Sequence, residues 1–251
     1  SRLQTLSHKE AIYIISGRYL GVIVDAILIF TLFGVGVVMV AGAGSLLNQQ
    51  FGLPVFVGSL IMIVLVMATM LMQVNKVIGV IGSITPLLII AVIVAAVYAL
   101  STMDTSFAEL NPIAKEQESE FSHWLVAAIN YASFNIAVGA GMSIVMGAAE
   151  KDERIATLGG LLGGLMIGFL IILSHLAIFS KVDVVAAYDM PLLKIVDEIG
   201  PGLGIVFSLV LFGMIFNTAV SMFYGFVARF TVLESRSFVI GTVVTGILGF
   251  I

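Results

Sequence analysis

The chain has no cysteine, which excludes a disulfide framework and thiolate chemistry and leaves its compartment unreadable from redox usage. Charge is also scarce: only 10% of residues are Asp, Glu, Lys or Arg. No dense run of Lys and Arg suggests a nucleic-acid partner. No H-E-x-x-H, G-x-S-x-G or P-loop pattern occurs, and no His/Asp/Glu group has metal-ligand spacing, so nothing points to an enzyme or a bound cofactor. No cleavable signal peptide is visible. The first residue is Ser1 rather than Met, and the last apolar run stops at Ile251 before it spans a bilayer. The expectation is a fragment of a longer chain, with helices missing at both ends.

What is present is apolar sequence. Hydrophobic residues make up 60% of the chain, and the mean hydropathy is +1.18. Several runs exceed the roughly 20 residues needed to cross about 30 Å of hydrocarbon. The runs are continuous rather than alternating, which argues against a membrane β-barrel. Backbone polar groups in lipid must be satisfied within the segment, so the spans are expected to be helices. The fold class is therefore an all-α polytopic membrane protein with the bilayer as its main partner, read as one domain over residues 1–251. Six full spans are predicted, A over 20–46, B over 53–73, C over 77–101, D over 123–149, E over 156–180 and F over 202–229, with a partial span G from about 238.

Shorter elements fill the connections. Ser7 and Glu10 have capping-box spacing and Gly17 is a helix stop, so residues 1–19 read as a surface helix leading into span A. Asn111-Pro112 and Asp189 are expected to start short helices, and Gly200-Pro201 to end the second and begin span F. Alternate loops fall on opposite sides of the membrane. One side carries eight cations: Arg2, Lys9, Arg18, Lys76, Lys151, Arg154, Arg229 and Arg236. The other carries three: Lys115, Lys181 and Lys194. The first side, with loops at 74–76, 150–155 and 230–237, is expected to be cytoplasmic in a bacterial plasma membrane. The acidic loop with Asp104, Glu109, Glu116, Glu118 and Glu120 then faces outward, and Trp124 enters at the outer interface.

Span D contains "SFNIAVGAGMSIVMG". Asn130, Ser133, Phe134, Asn135, Gly139 and Gly141 fall at mid-membrane depth, and each glycine lowers helix stability by about 1 kcal/mol relative to Ala. A break here would free amide N–H groups for a carboxylate and carbonyls for a cation. These six residues are the candidate solute-binding set, with Phe134 to stack or gate. The competing reading is close helix packing by small residues. Span F contains "NTAVS", where Asn217, Thr218 and Ser221 share one face and offer hard oxygen ligands for a small cation such as Na⁺. The competing reading is hydroxyls bonded back to their own helix. The glycines of span A (Gly34, Gly36, Gly42, Gly44) and the Gly160-x-x-x-Gly164-x-x-x-Gly168 series of span E read as packing. Asp25 reads as a partnered interfacial acid, His175 as a hydrogen-bonded structural residue, and Pro86 as a kink beside Ser83 and Thr85.

The segments "GVGVVMVAGAGSLLNQQFGLP", "VIGVIGSITPLLI", "NIAVGAGMSIVMG" and "NTAVSMFYGFVARF" resemble the YkvI-type membrane permeases. These look like distant members of the amino acid–polyamine–organocation superfamily. The resemblance covers nearly the whole chain and implies a leucine-transporter-like fold of two inverted five-helix repeats. Spans A to C would be its helices three to five, D to F six to eight, and G part of nine. It also implies a broken sixth helix over Ser133 to Ser143 and a cation site on the eighth at Thr218 and Ser221, with Na⁺ or H⁺ as coupling ion. The implied function is secondary transport of a small organic solute, an amino acid above all. A non-transporting solute sensor on the same fold and a structural scaffold are the alternatives.

Overall fold

The computed structural model describes residues 8–72, 74–117, 119, 121–149, 152–231 and 235–250, without side chains at 8–16, 18, 74–85, 88, 140–149 and 201. The described residues are mostly helical, with no strand among them. In chain order the helices are α1 (His8–Phe51), α2 (Val55–Met70), α3 (Val74–Ser101), α4 (Phe107–Glu116) and α5 (Trp124–Ala149). They continue with α6 (Glu153–Phe179), α7 (Val182–Val185), α8 (Pro191–Ile199), α9 (Pro201–Phe230) and α10 (Arg236–Phe250). Three segments are long and apolar enough to cross a membrane: Tyr19–Phe51, Glu153–Phe179 and Gly202–Phe230. They correspond to spans A, E and F. Helix α2 has 16 residues, about 24 Å at 1.5 Å per residue, short of a full hydrocarbon thickness.

Element boundaries correct the sequence reading in several places. Gly17 is non-helical (φ 71°, ψ −179°), a left-handed conformation that suits glycine, and separates two helical stretches within α1 where sequence places a stop; the second stretch continues to Phe51 rather than 46. The proposed cap at Ser7 lies outside the described residues, as do the side chains of Lys76, Ser83 and Thr85. Helix α3 starts at Val74 and α6 at Glu153, so Lys76 belongs to α3 and Glu153 to α6. Helix α4 starts four residues before Asn111. Ser106 is its N-cap, in a capping box with Glu109. That reciprocal pair satisfies first-turn donors, which Asn111-Pro112 in mid-helix cannot do. Asp189 does not cap α8: Met190 occupies that position, with Pro191 at the first turn. Helix α3 continues through Pro86.

The chain forms two compact units. Unit 1 comprises residues 1–34 and 119–168, and unit 2 comprises 35–118 and 169–251. In unit 1, α5 and the first part of α6 expose nearly all of their described side chains, most of them apolar. Such surface is compatible with lipid, where helices gain nothing from hiding apolar groups. The Gly160, Gly164 and Gly168 series, which sequence reads as packing, has no packed neighbour among the described residues. An added Cβ at any of these would meet nothing within 4 Å among the described residues.

Unit 2 is closely packed around α9. Helix α2 buries one stripe, Gly58, Ser59, Met62, Ile63, Val66 and Met70, at helical spacing. Gly44 of α1 and Gly58 of α2 touch: a Cβ on Gly58 would lie 2.9 Å from the Gly44 Cα, and one on Gly44 would lie 2.6 Å from the Val55 carbonyl oxygen. The Ser59 hydroxyl, donating to the Val40 carbonyl at 3.1 Å, fixes the register. Phe223 of α9 is fully buried, with its ring against Gly36 of α1 and Gly249 of α10. Thus Gly36 and Gly44 pack as the sequence suggests, whereas among the described residues Gly34 meets nothing within 4 Å and Gly42 only the Met190 Cε at 3.8 Å.

The connections that follow α1, α3 and α6 gather at one end of unit 2. Gln49 bonds to Met190, and the Lys181 ammonium donates to the Thr102 carbonyl at 2.6 Å.

Candidate functional site

Two polar sets sit part-way along long helices, one in each unit. The first is on α5. Helix α5 starts at Trp124, just after His123, whose Nδ1 accepts from the Leu125 N–H at 3.2 Å. At 1.5 Å per residue, Ser133 to Asn135 lie about 14–17 Å along it, near the middle of a hydrocarbon layer. The predicted break is not there. Helix α5 is continuous from Trp124 to Ala149, and the positive-φ glycines of the described chain are Gly17 and Gly52. The physical reason is magnitude. Two glycines at about 1 kcal/mol each do not outweigh the several kcal/mol for each backbone group left unsatisfied in a bilayer. The candidate set therefore offers side chains, not freed peptide groups.

Continuity also redistributes those side chains. At about 100° per residue, Asn130, Ser133, Phe134 and Gly141 fall on one stripe, while Asn135 and Gly139 lie about 140–180° away. Asn130, Ser133, Phe134, Asn135 and Gly139 are all exposed in unit 1. The Asn135 Nδ2 donates to the Tyr131 carbonyl one turn back at 2.8 Å, leaving its Oδ1 directed away from that bond. At Gly141 only the backbone is described, and the Ser143 side chain lies outside the described residues.

The second set is on α9, in unit 2. Asn217 lies about 22 Å along the helix from Gly202, close to its midpoint. Asn217 is buried at 8% exposure, and Thr218 and Ser221 are half-buried. Thr218 Oγ1 donates to the Met214 carbonyl at 3.0 Å. This back-bond uses the hydroxyl proton and leaves oxygen lone pairs available as acceptors. Asn217 and Ser221 are one turn apart, with Thr218 within about 100° of both. The structure thus groups the predicted cation ligands on one half-buried arc.

Other residues singled out from sequence have local explanations. His175 is exposed and stacks on Phe179 with ring centroids 5.9 Å apart; Phe179 in turn stacks on Phe107 of α4 at 5.6 Å. Asp25 is half-buried within the apolar part of α1. Among the described residues no group of three His, Asp or Glu side chains converges as a metal site would.

Sequence reasoning missed the polar junction at the end of α1. Asn48 Nδ2 donates to the Leu53 carbonyl at 2.8 Å and holds the turn into α2. Gln49 and Gln50 reach α8, to Met190 and Asp197. The signal was present: three consecutive carboxamides closing a run that is otherwise almost wholly apolar.

Comparison with known proteins adds a relative but no activity. No family model matches the chain, and no solved structure matches it. The chain is 26% identical over 226 residues to the uncharacterized membrane protein YkvI of Bacillus subtilis (strain 168). The match covers 89% of this chain and 63% of that protein, so the chain spans less than two thirds of its relative's length. Together with helices able to cross a bilayer, this likeness supports a YkvI-like helical membrane protein.

Proposed function

We propose that the chain forms part of a secondary active transporter that moves a small organic solute, an amino acid above all, coupled to Na⁺ or H⁺. The observation that supports this best is the buried Asn217 at the middle of α9, with Thr218 and Ser221 on the same arc. A polar side chain at that depth is costly unless it contacts other polar groups, an ion path or water. Three neutral oxygens suit a weakly held, hard monovalent cation, which must bind and leave in each cycle. On α5, the stripe of Asn130, Ser133 and Phe134 is the proposed solute contact, with Phe134 stacking on the solute. Asn135, on the other side of the helix, is a second hydrogen-bonding group. Peptide groups of α5 are left out of this site because the helix is continuous. The leucine-transporter-like inverted repeat belongs to the same proposal.

A scaffold is the competing reading. It is favoured by the local bonds of Thr218 to Met214 and Asn135 to Tyr131, which are what a purely structural helix would make.

The test is uptake of labelled amino acids by proteoliposomes holding the full-length protein, with an imposed Na⁺ or pH gradient. Gradient-driven accumulation is expected. Asn217→Ala and Ser221→Ala should weaken its dependence on cation concentration, and Ser133→Ala and Asn135→Ala its dependence on solute concentration. Solute-induced thermal stabilisation without flux would replace the transporter by a sensor. Neither flux nor stabilisation would leave the scaffold.

A further inference from the structure

Helix α8 is tied to the end of α1 by an unusual contact. The Gln49 Nε2 donates to the Met190 carbonyl at 3.1 Å, and the Met190 N–H donates to Gln49 Oε1 at 3.0 Å. One side chain thereby engages both main-chain groups of one residue, as a neighbouring strand would. The Met190 carbonyl also accepts the first helical bond of α8, from the Lys194 N–H at 3.2 Å. The contact therefore lies at the point where α8 begins. A second tie runs from Gln50 Nε2 to Asp197 Oδ1 at 3.4 Å. The Asp197 carboxylate rests on Gly204 in the first turn of α9, where a Cβ would overlap it. Beyond these ties, α8 is held by Leu193, Ile195 and Val196, its buried side chains, and is followed by the extended Gly200 (φ 170°, ψ 140°).

We propose that Gln49 is a two-point latch that keeps α8 seated on the end of α1, and that its release lets α8 lift as one piece. A primary carboxamide is the side-chain group that presents a donor and an acceptor side by side in neutral form. Ala supplies neither. Glu has nearly the same shape, but when ionised it accepts only and places a charge against the Met190 carbonyl. What such a lift would serve, access to the polar faces of the spans, rests on the transport reading. The latch does not, and its test requires no transport.

The absence of native cysteine makes single-thiol reporters clean. Leu193→Cys places one on the buried face of α8, and Met62→Cys places another inside α2; both positions are 0% exposed. Maleimide labelling of the full chain in proteoliposomes is then followed in the native, Gln49→Ala and Gln49→Glu backgrounds. The thiol at position 193 is expected to react about tenfold faster with Gln49→Ala, in line with two lost net hydrogen bonds, and also faster with Gln49→Glu, which still accepts from the Met190 N–H but loses the donated bond and sets a charge against the carbonyl; the thiol at position 62 stays protected. Equal rates at position 193 in all three backgrounds would overturn the latch. Acceleration at both positions together would also overturn it, because the contact would then hold up the whole unit rather than α8. Uptake measured on the same vesicles separates failure of the latch from failure of the transport reading.

Discussion

Replacing Gly139 by alanine tests whether α5 works as a continuous helix. Residue 139 is helical, and an added Cβ there would meet no atom within 4 Å among the described residues. No contact term opposes the substitution, so the backbone term decides: alanine favours a helix over glycine by about 0.8–1 kcal/mol. That is about a fivefold change in the folding equilibrium and a rise in Tm of about 2–4 °C for a domain of this size. Gly44→Ala is the opposing control. Its Cβ would lie 2.6 Å from the Val55 carbonyl oxygen, which is backbone and cannot swing aside. Overpacking of this kind costs about 1–3 kcal/mol, so Tm should fall by several degrees. The assay is thermal unfolding of the detergent-solubilised full chain, followed by circular dichroism. A lower Tm for Gly139→Ala would refute the continuous helix, because it would mean that the backbone at 139 needs a conformation alanine resists. A normal Tm with abolished uptake would show that α5 opens at Gly139 during the transport cycle.

Two further substitutions test other parts of the structure. Phe223→Ala should destabilise the chain by about 3–5 kcal/mol, because the ring fills the space between Gly36 and Gly249; a loss below about 1 kcal/mol in chemical denaturation would contradict that packing. At the N-terminus of α4, hydrogen bonds from the Ser106 side chain and backbone hold the Glu109 carboxyl below the ordinary glutamate range. Because the folded pKa is the lower one, the stabilisation by this cap is complete above about pH 4.3 and is lost as pH falls through the folded value. Ser106→Ala should raise the Glu109 pKa in an NMR titration; an unchanged value would remove the capping box.

The positions of the long helices were legible because they follow from residue chemistry alone. Long apolar runs in a chain with few charges must become helices in lipid, and the ends of α3, α6 and α9 fall within one residue of where sequence places them. Gly17 and Gly200-Pro201 were legible for the same reason, since each forces a local backbone choice. Elsewhere two local signals competed. Asn111-Pro112 and Asp189 are good helix starters, but Ser106 with Glu109 and the Met190-Pro191 pair prevailed, and sequence does not rank them. The polar arc of Asn217, Thr218 and Ser221 was visible as spacing on a helix.

Glycine was the residue type that sequence could not interpret by itself. Gly44, Gly36, Gly139 and Gly164 look alike in a list of spans, yet the first two lie against neighbouring groups and the last two meet none among the described residues. A missing side chain has no chemistry of its own, and its meaning depends on what approaches it. The pairing of Gln49 with Met190 was hidden for a related reason, since its partners are 141 residues apart and the bond exists only after α1 and α8 meet. Sequence by itself determined that this is a helical membrane chain, roughly where its long helices lie, and which side chains near their middles are polar. Tertiary structure alone decided which helices approach closely, that α5 stays unbroken, and where α8 is fastened, because those outcomes depend on distances between residues remote along the chain.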